Sequence, residues 1–153
     1  MASKQAINIV NRRASFNFFI SDEVEAGIQL TGTEVKAIRE GKANLSDSYC
    51  YFKNEELWIK NLHISPYEHG SYANHEAKRE RKLLLHRHQL SKLQSKLKEK
   101  GVTIIPISIN ENERGLIKIR IGLARGKKLY DKRETLKKAE AKREMGRVMK
   151  KFN

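Results

Sequence analysis

A single cysteine, Cys50, is all the thiol chemistry in 153 residues. One cysteine excludes an intrachain disulfide framework and every structural zinc site that needs two or more thiolates, and a reducing compartment suits such a chain. Long apolar runs are also missing. The opening stretch MASKQAINIVNRR puts polar residues where a secretory leader needs an unbroken apolar segment, and no later run approaches the roughly 20 apolar residues of a membrane span. A cytoplasmic protein is the expectation. Carboxylates are scarce beside cations, with 18 Asp plus Glu against 32 Lys plus Arg and a formal charge of +14. Few enzymes look like that. With 39% hydrophobic and 7% aromatic residues the chain is still apolar enough to build one core, with little left for a second domain.

The charge is gathered rather than spread. Residues 78 to 100 hold nine Lys/Arg and two Glu, residues 124 to 153 hold twelve and four, and everything else is nearly balanced at eleven and twelve. Clustered cations most often face a phosphate backbone, because displacing condensed counterions supplies affinity without shape complementarity. A membrane-surface helix would need large apolar residues opposite its cations, and the tail has only scattered Leu136, Met145, Val148, Met149 and Phe152. Nucleic acid is the expected partner, and neither membrane nor metal is expected.

Patterning predicts a mainly β, α+β domain. Residues 1 to 14 read as a loose arm. Phe16 to Ile20 and Ala26 to Leu30 alternate as two strands, and a short helix follows Gly32-Thr33 and closes at Gly41, with Thr33 as its cap. Leu45 to Phe52 and Leu57 to Ile64 read as a hairpin around Lys53-Asn54-Glu55-Glu56, and Ser65 to Ala77 is a long loop. His86 to Lys100 is the best helix, with Leu90, Leu93 and Leu97 on one narrow face that must dock on the sheet. Val102 to Ile109 and Leu116 to Leu123 complete six strand candidates, Lys118 and Arg120 pointing opposite Ile117, Ile119 and Ile121. Without βαβ alternation, an antiparallel barrel of the oligonucleotide-binding type, spanning 15 to 124 with two or three flanking helices, is favoured. Residues 125 to 153 read as a basic tail, disordered when free and helical on a polyanion.

Sites of catalysis are hard to find. Gly122-Leu123-Ala124-Arg125-Gly126-Lys127-Lys128 has three residues between its glycines where a triphosphate loop needs four, and Lys128 where that loop needs Ser or Thr. A glycine hinge that lets Lys127 and Lys128 approach phosphates fits better. His86 and His88 project to different faces, and the other histidines lack metal spacing, so no cofactor is expected and a ribonuclease is the weaker reading. Glu25 precedes Ala26-Gly27, where a carboxylate can accept from base amino groups or merely neutralise a nearby arginine. Bases stack on aromatic rings, and Tyr67, Tyr72 and above all Tyr130 are placed for that, whereas Phe16, Phe18 and Trp58 read as core.

Four blocks then read together: Gly32-Thr33-Glu34-Val35-Lys36-Ala37-Ile38-Arg39-Glu40-Gly41-Lys42; Ile64-Ser65-Pro66-Tyr67-Glu68; Arg81-Lys82-Leu83-Leu84-Leu85-His86; and Gly122 to Arg133. From about residue 12 to 133 the chain resembles the SsrA-binding protein family, also called small protein B. The resemblance implies an oligonucleotide-binding-type barrel and a monomeric adaptor, not an enzyme, that binds the tRNA-like domain of transfer-messenger RNA and takes it to stalled ribosomes. It implies that Glu25, Arg79, Arg81, Lys82, Leu84 and His86 contact that RNA, joined by Lys36, Arg39 and Lys42. It further implies that Gly126, Lys127, Lys128, Tyr130, Asp131, Lys132 and Arg133 enter the decoding centre. The tail with Lys137, Lys138, Arg143, Arg147, Val148, Met149 and Lys150 would then fill the empty message channel. Ala77 departs from the family's usual proline. A ribosomal or general structured-RNA-binding protein is the alternative.

Overall fold

A computed structural model describes residues 7–68 and 74–127. The first element is not a loose arm. β1 (Asn8–Val10) pairs antiparallel with β8 (Val102–Glu111), putting Ile9 opposite Ile109. Asn11 is buried behind it, its side-chain amide donating to Pro106 O at 2.9 Å and Leu45 O at 3.3 Å. Residues 8–14 are thus held by a ladder and a side-chain clamp that hydrophobic periodicity does not register.

The strand expected from Phe16 starts later. Arg12–Asn17 is a short helix, α1, which buries Ala14 against Ile105 and Ala124. β2 then runs unbroken as Phe18–Ile28, where two strands were expected. Its acidic middle is a bulge: Asp22 has φ +52° and the register with β9 (Ile117–Gly126) shifts between Ser21 and Val24. α2 (Gly32–Arg39) is capped by Thr31, not Thr33. Thr31 Oγ1 accepts from the Glu34 N–H at 3.4 Å, while Glu34 Oε1 accepts from the Thr31 N–H at 2.8 Å, a reciprocal cap that satisfies two otherwise orphaned donors.

The hairpin forms where expected, with Asn54 and Glu55 both at positive φ, but its arms are shorter: β4 is Tyr49–Lys53, and β5 is Glu56–Lys60 because Asn61 at φ +62° ends the run that was expected to reach Ile64. Short β3 (Ala43–Asn44) and β6 (His63–Ile64) make a separate two-stranded ladder. β7 (Arg81–Leu84) was not foreseen, because its four residues place an arginine where the pattern asks for an apolar side chain. It leads into α3 (Arg87–Lys96), which buries Leu93 and packs Leu90 and Leu97 on the core.

The pairings close on themselves. β8, β4, β5, β7, β2 and β9 neighbour one another in that order, and β9 returns to β8, every contact antiparallel. This is the expected barrel. One edge of β8 is divided: Ile104 faces Cys50 of β4, Ser108 faces Val10 of β1, and Pro106, which has no N–H to give a ladder, lies between. Leu57, Ile59, Leu83, Ile104, Ile109, Ile119 and Ile121 fill the interior, with Ile38 and Leu93 covering it from the helices.

Candidate nucleic-acid interface

Alternation along the barrel wall decides what faces out. On β9 the isoleucines at 117, 119 and 121 are buried, so Lys118 and Arg120 face outward as expected. In register across β2 these two stand opposite Gly27 and Glu25, and on the other side of β2 Gly27 stands opposite Leu84 of β7. Glu25 is exposed, and Leu84 keeps 48% of its surface although large and apolar. Gly27 makes the row continuous. A Cβ there would lie 3.2 Å from the Leu84 Cβ, so any larger residue would push that leucine away by a few tenths of an ångström. Arg120 reaches Glu23 at 3.7 Å and Lys82 reaches Glu56 at 3.6 Å, both long and partly solvated and therefore weak pairs that an incoming phosphate can displace.

Lys82, two residues before Leu84, shares its face, and His86 follows as the extended cap residue of α3, so that its ring stacks on His88 with centroids 5.6 Å apart instead of projecting to a different face as expected. Glu25, Lys82, Leu84 and His86 are therefore brought together with Lys118 and Arg120, two cations that the resemblance had not assigned. Period-two alternation alone could have added them.

Arg81 must be withdrawn from this face. It points inward with no exposed surface, its guanidinium bonded to the Glu34 carboxylate, to Leu62 O at 2.7 Å and to Ala77 O at 3.2 Å. No RNA can reach it. Arg79 is half committed to the same anion, bonding Glu34 Oε1 at 2.6 Å and Gln29 O at 3.4 Å. Burial alone would raise the Glu34 carboxyl, but the Arg79 hydrogen bond, the Thr31 N–H and the Arg81 charge together hold it below its ordinary value. The arginine pair thereby ties the loop before β7 to the first turn of α2.

The α2 cations form a second group, each engaged. Lys36 Nζ lies 5.4 Å from the Tyr67 ring centroid. Arg39 bonds Gly115 O at 3.4 Å and Glu111 at 3.3 Å, and Lys42 lies 3.1 Å from Glu68 and 3.3 Å from Glu40, whose hydrogen bonds raise its pKa. All but Lys42 are exposed, so they can exchange these partners for phosphate.

At the far end of β9, Gly126 pairs with Phe18 and is exposed. The Lys127 N–H donates to Asn17 O at 3.0 Å, and its Nζ donates to Ser15 O at 3.2 Å and lies 5.2 Å from the Phe19 ring centroid. The segment that leaves the barrel is thus rooted on α1. Gly122 is no hinge: it is buried, and a Cβ would come within 2.8 Å of Ile20 Cγ2. Lys128, Tyr130, Asp131, Lys132, Arg133, Lys137, Lys138, Arg143, Arg147, Val148, Met149 and Lys150 lie outside the described residues, as does Tyr72.

Two of the rings assigned to the core are elsewhere. Trp58 faces outward between buried Leu57 and Ile59, and Phe16 is 67% exposed on α1. Phe18 is partly buried against the small cluster of Ala14, Ile105 and Ala124, as expected. Among the described residues no three His, Cys, Asp or Glu side chains gather as a metal site, and no helix is long and apolar enough to cross a membrane.

Comparison with known proteins joins these surfaces to a family. A model described as "SmpB protein" matches residues 8–151. The SsrA-binding protein of Christiangramia forsetii is 51% identical over 149 residues, covering 97% of this chain and 95% of that one. That of Phocaeicola vulgatus is 56% identical over 144 residues, covering 94% and 96%. A chain from a solved structure described as "tmRNA-SmpB: a journey to the center of the bacterial ribosome" is 48% identical and superposes with a TM-score of 0.71, over 86% of this chain and 95% of that one.

Proposed function

Since the chain belongs to the SmpB family, we propose that it is the RNA-binding adaptor of trans-translation, carrying transfer-messenger RNA to stalled ribosomes. The observation that carries the residue-level reading is the outer row of Glu25, Gly27 and Leu84 with Lys118 and Arg120 beside it. A carboxylate, an exposed leucine and flanking cations can accept from a base edge, pack on a sugar or base, and hold phosphates. Lys82 and His86 extend that surface toward α3, and Lys36, Arg39, Lys42 and Arg79 supply further phosphate contacts. Arg81 acts through Glu34, as a positioning residue. The RNA part gripped here is the tRNA-like domain.

The second surface begins where β9 ends. Gly126 and Lys127 start a basic segment in which Lys128, Tyr130, Asp131, Lys132 and Arg133 occupy the decoding centre, with Tyr130 stacked on a ribosomal base. Lys137, Lys138, Arg143, Arg147, Val148, Met149 and Lys150 then lie in the vacant message channel as a helix. Work of this kind is recognition and placement, with no bond made or broken by the chain itself.

Deleting residues 131–153 tests the division. Affinity for the tRNA-like RNA should survive, in competition with bulk tRNA, while tagging of stalled nascent chains is abolished. Comparable loss of both would refute the two-surface reading.

A further inference from the structure

Trp58 is the only tryptophan of the chain, and the Glu25–Leu84 row makes no use of it. Strand alternation sends Leu57 and Ile59 fully into the core and leaves the indole on the outer wall of the barrel. In register it lies between Tyr51 of β4 and Lys82 of β7. Lys53 Nζ sits 5.6 Å from its ring centroid, over the π-face. Tyr51 is held by its hydroxyl, which donates to Glu80 at 2.6 Å. Two rings and a lysine thus share one stretch of wall, each on a strand rather than a loop.

We infer that Trp58 and Tyr51 form a stacking platform for an unpaired base of the delivered RNA, an inference that rests on the adaptor reading above. Three arguments favour that occupant. Lysines 53, 60 and 82 share the wall with Glu56 and Glu80, one engaged by Lys82 at 3.6 Å and the other by Tyr51. The patch is therefore close to neutral, and its attraction comes from ring faces rather than counterion release, which suits an exposed base better than a duplex backbone. Lys53 already rests on the indole, so a base that takes its place leaves a flexible ammonium at the rim, free to meet the phosphate next to it. Finally, the platform is continuous with the proposed RNA row: Lys82 and Leu84 are alternate residues of one strand. An RNA lying along Glu25 and Leu84 reaches Trp58, which stands opposite Lys82, by one diagonal step to the neighbouring strand, about 7–8 Å.

One titration decides it. Labelled tRNA-like RNA is added to the full chain while RNA anisotropy and Trp58 emission are followed together, and affinities of Trp58→Phe and Trp58→Ala are measured beside them. Emission should be quenched in step with the anisotropy rise. Trp58→Ala should bind roughly tenfold more weakly, and Trp58→Phe, which keeps a ring, should stay near the parent. An anisotropy rise with unchanged emission, or wild-type affinity in Trp58→Ala, overturns the platform and leaves the adaptor reading standing. No anisotropy change in the parent protein overturns both. Quenching by isolated small ribosomal subunits instead of by the tRNA-like RNA also refutes the inference, since it would assign the platform to ribosomal RNA.

Discussion

Removing the Arg81 guanidinium should cost the protein stability rather than RNA affinity. The side chain has no exposed surface and serves Glu34, Leu62 O and Ala77 O together. Breaking a buried ion pair by deleting one partner costs about 3–5 kcal/mol, because the other charge is left in the interior. Glu34 would keep Arg79 at 2.6 Å and the Thr31 N–H at 2.8 Å, so its charge is not abandoned and the low end applies. For Arg81→Met, which fills most of the space, about 3 kcal/mol is expected, or roughly 6–12 °C in Tm for a domain of this size. Acid should narrow the gap. A carboxyl held below its ordinary value contributes stability that is present above that value and lost as the pH falls through the folded-state value. Parent and variant should therefore converge in thermal melts carried below the ordinary carboxylate range. Adding Glu34→Gln to Arg81→Met should cost less than the two single changes summed, since either one breaks the same pair. Below the melting transition, the folded variant should bind RNA within about twofold of the parent, on the order of 0.4 kcal/mol. A variant that melts like the parent yet loses RNA binding would refute the reasoning and return Arg81 to the interface.

Two further outcomes follow from the backbone. Glu55→Gly puts the residue free of Cβ strain at φ +63° and turns the hairpin into Asn-Gly, which should raise stability by about 1 kcal/mol in denaturant titration. Gly122→Ala forces a methyl to within 2.8 Å of Ile20 and should lower stability by about 1–3 kcal/mol, visible as an earlier thermal melt.

The long β-rich runs were legible because isoleucine and leucine alternate with polar residues, and β8 and β9 came out within a residue or two of the expected bounds at one end. α3's docking face was legible for the same reason at helical spacing. Three features were not. β1 is three residues long and owes its place to a partner a hundred positions away. The Asp22 bulge imitates a break, since an acidic, locally strained segment looks the same in sequence whether the strand stops or merely kinks. Arg81 sits in a run of cations where charge counting reads surface, and only the pairing Thr31-x-x-Glu34 hints that an anion is buried nearby. Trp58 is a different failure: it was read as core from its place on an alternating strand, although the flanking Leu57 and Ile59 already sent it outward.

Closure of the barrel waits for β9, which bonds to both β2 and β8 and runs straight into the basic segment. A copy made from a message broken anywhere upstream of that strand would have a gap in its wall and two unpaired strand edges. Such a copy would be a substrate for proteolysis, not a half-working competitor. On the two-surface reading proposed above, the fold would thereby couple grip to delivery: a copy with a closed barrel also carries the root of the basic segment.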